Sequence, residues 1–232
     1  MSLEIATAIV LIAVPIAFNL AFFELGRAFD YPAILRRDPD EILRRFAAGG
    51  SGLLLRWQGL LWSAIAMLPL AVMLAVVLGA SPELTLLSMV VGASAAIVQA
   101  LGLARWPFAV PELARRYLGA AEGPAGDATR EMVRVVFATL HRYLGVGIGE
   151  HLGYLLTGAW TLLVAWSLMT TAILPMWLGL VGLPIGIALL AGSLEFVGRN
   201  ERDGWGLMGM VVPVAYIAWS VWLIAAGVLL LV

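Results

Sequence analysis

Long apolar runs broken by short polar clusters set the pattern of this chain. The runs cover about 5–23, 57–80, 84–106, 144–169, 174–194 and 207–232. Each approaches or exceeds the ~20 apolar residues that carry a helix across ~30 Å of hydrocarbon. Only helices or closed barrels satisfy their backbone polar groups in lipid, and runs this long are helical ones. The pattern therefore predicts an all-α fold: a polytopic transmembrane bundle of six spans, forming one integral membrane domain over residues 1–232. Pro15 and Asn19 interrupt the first span, and Pro175, Gly179, Gly182, Pro184 and Gly186 predict a kinked fifth. Ser88, Gly92, Ala96 and Ala100 give the third span a small-residue face at a spacing of four.

The segments between spans carry their own signals. After the first span, Asp38 is placed to cap a short helix begun by Pro39. Asp40 and Glu41 fill its first turn, Arg44 and Arg45 its last, and Gly49-Gly50 stop it. Ile42, Leu43 and Phe46 share one face, which predicts an amphipathic helix on the membrane surface or a solvated loop helix. Asp127 is expected to cap a helix through Met132, Val136 and Leu140 that runs on into the fourth span. LGR…YPAILRR after the first span resembles LAR…VPELARR after the third. Repeated hairpins and convergence on a basic membrane exit both explain it.

Composition sharpens the class. The 232 residues are 62% hydrophobic and only 12% charged, far from a soluble domain's balance. With no Cys, thiolate chemistry and Cys-ligated metals are excluded. The N-terminal run has no basic n-region and carries Glu4, so it reads as a retained span rather than a cleaved signal. The net charge of −1 hides a segregation. All 14 basic residues are Arg, six from Arg27 to Arg56, six from Arg105 to Arg142, then Arg199 and Arg202. With six spans all of them fall on one side, which the positive-inside rule makes cytoplasmic. The expected location is a bacterial cytoplasmic membrane with both termini outside. Partners are the lipid bilayer and, in one reading, other membrane subunits or further copies of the chain; no nucleic-acid partner is expected.

Candidate chemistry centres on the fourth span, LGVGIGEHLGYLLTGAWTLLVAWSLM. Glu150 lies ~8 Å inside it at 1.5 Å per residue, and charge within a span is costly. Gly145, Gly149 and Gly153 form two overlapping GxxxG patterns beside it. Glu24, Arg56, Gln99, Arg105, His151 and Glu195 reach a similar depth, and Glu150 is expected to pair with Arg105 or Arg56. Such a layer either binds a small ligand or relays protons, or it only locks the helices together. His141 and His151 would stand about 80° and 15 Å apart on one helix, which disfavours a bis-His haem within one chain; the cofactor is otherwise unknown. No metal cluster has ligand spacing, and no HExxH, GxSxG or Walker motif supports a catalytic residue.

GVGIGEHLGYLLTGAWTLL, preceded by RWPFAVPELA, resembles bacterial multi-pass membrane proteins classed as domains of unknown function. The resemblance covers most of the chain. It implies six helices and transfers no reaction and no catalytic residue. Two readings follow from the residues: a ligand-binding or proton-linked transport protein, and a non-catalytic accessory subunit of a larger membrane complex. A membrane enzyme ranks behind both.

Overall fold

The apolar runs become helices arranged as a ring. The computed structural model describes residues 2–232. Helix α1 spans Leu3–Phe29, α2 Pro39–Leu78, α3 Pro82–Phe108, α4 Val110–Leu118 and α5 Pro124–Leu140. A π-helical segment, His141–Leu152, joins α5 to α6 (Gly153–Thr170), followed by α7 (Met176–Gly192) and α8 (Gly206–Leu229). The fold is an all-α bundle. The long helices pack in chain order, α1 on α2, α2 on α3, α3 on the π segment and α6, α6 on α7, α7 on α8, and α8 closes against α1. Among the described residues five helical stretches, one of them Pro124–Thr170 taken whole, are long and apolar enough to cross a membrane. The sixth apolar helix, α7, has 17 residues, about 25 Å at 1.5 Å per residue. The large apolar residues exposed around the bundle, such as Leu20, Trp62, Leu86 and Val214, make the bilayer its environment.

Several local expectations are met and others corrected. Asp38 caps α2, its carboxylate accepting from the Asp40 N–H at 2.8 Å, with Pro39 at the first helical position. Gly49-Gly50 does not stop this helix. Gly50 kinks it (φ 54, ψ −152), and the chain continues straight into the second span. A left-handed φ is open to glycine at no steric cost, so the helical direction changes without a loop. Asp127 lies in the first turn of α5 rather than at its cap, which is Gly123. The two similar segments fold differently: Ala33–Arg36 is a 3₁₀ turn, whereas Val110–Leu118 is the α-helix α4.

Ion pairs gather the connections at one end. Asp40 before the α2 kink receives both Arg134 Nε and Nη2 from α5 at 2.6 Å. Arg142 meets Glu201 of the α7–α8 loop at 2.6 Å, and Arg36 of the α1–α2 loop lies 3.6 Å from Glu195. The three arginine-bearing connections thus touch one another, forming an arginine end of the bundle.

Two apolar cores fill the ring. One, towards the opposite end, includes Leu11, Leu74, Trp160, Leu168, Leu189 and Leu223. The other, at the arginine end, is built on Phe29, Phe46, Trp57, Trp106 and Phe137. Its centre is a near-parallel stack of Trp57 on Trp106, with ring centroids 4.4 Å apart. Along α3, Gln99 separates the two cores, and along the π segment and α6 Glu150 and Tyr154 lie short of Trp160. A polar belt therefore divides the interior.

Candidate functional site

The π segment sets the geometry of that belt. Wide π turns are rare and are frequent at functional sites. Here the turn follows from GVGIG, where missing side chains leave the backbone free to take the wider hydrogen bonding; the Gly153 N–H reaches back to the Ile148 and Glu150 carbonyls. The three glycines of the fourth span all face α3. A Cβ built on Gly145 would lie 2.6 Å from the Arg105 guanidinium, and one on Gly153 would lie 3.0 Å from Gln99 Cγ. A Cβ on Gly102 would lie 2.6 Å from the Gly149 Cα, so the two backbones are in contact. This face is covered within the chain, and any partner subunit has to use another surface.

Glu150 is half-buried inside the ring. Among the described residues no basic nitrogen comes within 4 Å of its carboxylate, so the expected pair with Arg105 or Arg56 does not form. Arg56 pairs instead with Glu24 of α1 at 3.4 Å, with both side chains some 40% exposed at the rim. The reason is angular. Leu53 and Trp57 point into the core, which turns Arg56, next to Trp57, towards the flank where α1 passes. Arg105 is 8% exposed and donates to the Gly102 carbonyl, with its guanidinium 5.3 Å from the Trp106 ring centre. It is held by its own helix rather than by a carboxylate, though it remains among the charged groups near enough to act on Glu150, with Glu195, Arg36 and Arg142.

The remaining expected residues divide between belt and periphery. Gln99 donates from Nε2 to the Thr157 hydroxyl at 2.8 Å, tying α3 to α6 across the belt. His151 is turned away from Glu150, and its Nδ1 lies 2.6 Å from the Ser193 carbonyl. A carbonyl can only accept, so Nδ1 carries the proton there. Glu195 is 7% exposed and faces Arg36. Glu24 stays at the rim.

Sequence reasoning passed over the tyrosines. Tyr31, Tyr154 and Tyr216 each have Glu150 among their charged surroundings. Tyr154 and Tyr216 meet edge to face with centroids 5.6 Å apart. Among the described residues the buried Tyr216 hydroxyl has no hydrogen-bond partner, although it stands beside Thr157. Asn19 of α1 donates to the Ser220 hydroxyl of α8 at 2.9 Å. Tyr154 could have been found, because it follows Glu150 by four residues. Tyr31 and Tyr216 come from distant segments and leave no such trace. Together these groups give the interior a polar lining of one carboxylate and several hydroxyls, with an arginine nearby. It can donate and accept hydrogen bonds and can accept or release a proton at Glu150.

The comparisons with known proteins carry no activity to this lining. No curated protein and no solved structure matches the chain. A family model described as a domain of unknown function, DUF4386, matches residues 6–227. With nearly its whole length covered, the chain belongs to the DUF4386 family.

Proposed function

We propose that residues 1–232 form one integral membrane domain of six spans that binds a small polar ligand, or passes protons with it, at Glu150. The observation that carries this reading is a carboxylate inside the ring with no basic partner within 4 Å among the described residues, and with Tyr31, Tyr154 and Tyr216 near enough to feel its charge. A purely structural carboxylate would be expected to hold a direct counter-ion at this depth. Arg105 and Gln99 complete the lining, while His151 ties the π segment to the end of α7 and Glu195 ties the α7–α8 loop to Arg36. Arg56 and Glu24 form a rim pair outside it. We place the protein in a bacterial cytoplasmic membrane, with the arginine end cytoplasmic and both termini outside, on the segregation of its arginines.

The test is to purify wild type and Glu150→Gln, and to compare what co-purifies by mass spectrometry and absorption. The expected result is a small molecule that leaves with Glu150→Gln while the melting temperature is retained. If Glu150→Gln only lowers the melting temperature and nothing is ever recovered, the pocket reading fails.

One observation favours the accessory-subunit reading. Between α2 and α3 an apolar groove of about 370 Å³ faces outward, floored by Ala96, Ala100 and Ala104 and walled by Leu61, Ile65 and Phe108. Small residues of this kind admit a neighbouring helix closely. Helix-to-helix packing through this groove, rather than through the glycines of the fourth span, is the form that reading takes.

A further inference from the structure

The arginine end holds a cavity whose lining does not include Glu150. It measures about 330 Å³ and opens where three connections meet. Leu35, Pro39, Ile42, Phe137 and Ala138 make an apolar floor, and Arg37, Arg142 and Arg202 stand around it with His141 and Glu201. The three arginines come from three separate parts of the chain: the α1–α2 loop, the start of the π segment and the α7–α8 loop. Their charges are not equally spent. Arg37 is taken up by Asp30 and by Glu41 at 2.5 Å, and both carboxylates also reach Arg45. Arg142 meets Glu201 at 2.6 Å. Arg202 makes no ion pair and no side-chain hydrogen bond among the described residues. His141 stacks flat on Phe137, with centroids 6.0 Å apart, and its buried Nδ1 has no partner among the described residues.

We propose that this cavity is a binding site for a phosphate group, gripped by Arg202 and Arg142 with a hydrogen bond from His141. Guanidinium forks match phosphate oxygens in pairs, and a phosphate supplies more acceptor oxygens than Glu201 alone can. The ligand displaces Glu201 from Arg142 or bridges beside it. The apolar floor adds room for a carbon chain next to the charge, which an anionic phospholipid headgroup brings and a free phosphate ion does not. The cavity lies at the end of the bundle where the spans leave the apolar layer, so a headgroup reaches it without crossing that layer.

Native mass spectrometry of the full chain separates the sources. The protein is released from detergent with phosphatidylglycerol or phosphatidylcholine added, and inorganic phosphate is titrated in parallel by calorimetry. The expected result is retention of phosphatidylglycerol over phosphatidylcholine, weakened about ten-fold in Arg202→Gln, the size of one lost charged hydrogen bond. Arg202→Gln disturbs no ion pair, so folding is not at stake, and circular dichroism checks it. Glu201→Gln removes the competing carboxylate and is expected to tighten binding, whereas a merely structural Arg142–Glu201 bridge predicts loss. If inorganic phosphate binds with the same dependence on Arg202 and Glu201 and phosphatidylglycerol shows no preference, the site stands and its ligand is the free ion. Retention unchanged in Arg202→Gln together with no phosphate heat overturns the proposal, as does weaker binding in Glu201→Gln.

Discussion

Gly102 and Gly149 touch backbone to backbone, and that contact fixes how close α3 lies to the helix bearing Glu150. A Cβ on Gly102 would also lie 3.0 Å from the Leu144 carbonyl, so a side chain there meets main chain that cannot rotate aside. Gly102→Val is therefore expected to cost about 1–3 kcal/mol as overpacking, read as a lower melting temperature in detergent. Gly147 offers the contrast in the same glycine run, since its Cβ would meet only the Arg142 carbonyl at 3.6 Å. Gly147→Ala should melt close to wild type; equal losses in both variants would mean that the helical backbone, not the α3 contact, is what the glycines serve. The run of glycines at 145, 149 and 153 was visible in the sequence, and a Cβ at any of them would crowd α3. Its partner was not, because Gly102 carries no signal until two helices meet. The partners of Arg56 and Arg105 were not legible either. Depth along a helix can be counted from sequence, but the angle that sends Arg56 to Glu24 and Arg105 to its own Gly102 carbonyl depends on which side chains enter the core.

Among the elements, α2 is the one whose two halves do different work. Its first turns lie at the arginine end, packing Ile42, Leu43 and Phe46 into the core there, and its later turns cross the bundle. The cap at Asp38 and Pro39 was readable, since it depends only on local residue types. The kink was not, because Gly49-Gly50 serves a stop and a bend equally well, and the choice rests on Leu53 and Trp57 continuing into the core. Likewise no apolar period distinguishes the π segment from an α-helix over a dozen glycine-rich residues. Docking of the first half of α2 on α5 rests partly on Asp40 and Arg134. The Arg134 hydrogen bonds, aided by its charge, hold the Asp40 carboxyl below the usual carboxylate range. Because the folded value is depressed, the stabilisation is present above the unfolded value, about 3.9, and disappears as pH falls through the folded one. Asp40→Asn should thus melt below wild type at pH 7, and the gap should close as pH drops below about 4. The pair is about one-third exposed, so the gap is modest; a gap that persists unchanged at low pH would assign the effect to packing of the amide instead.

At the scale of the whole molecule, the segregation of arginine was the most informative property of the sequence. It placed three connections at one end, and the contacts of Asp40 with Arg134, Arg142 with Glu201 and Arg36 with Glu195 bring those connections together. The order of helices around the ring was not written in any residue pattern; it follows from short links, such as Gly79–Ser81 between α2 and α3, that force neighbours in sequence to be neighbours in space. The crossing that most needs a test is α7, shortest of the apolar helices. If α7 crosses, the α4–α5 loop and the α7–α8 loop share a side; if it does not, they lie on opposite sides. The absence of cysteine makes a single introduced thiol readable without background. Glu122→Cys marks the first loop, Asp203→Cys the second and Ala172→Cys the α6–α7 link, all at exposed positions. With a membrane-impermeant maleimide on intact cells, Ala172→Cys should label at once, while Glu122→Cys and Asp203→Cys should label only after lysis. Labelling of Asp203→Cys in intact cells alongside Ala172→Cys would remove α7 from the spans and open the ring between α6 and α8. The contacts that Ser193 makes with His151 and Glu195 with Arg36, just past the end of α7, would then be lost with it.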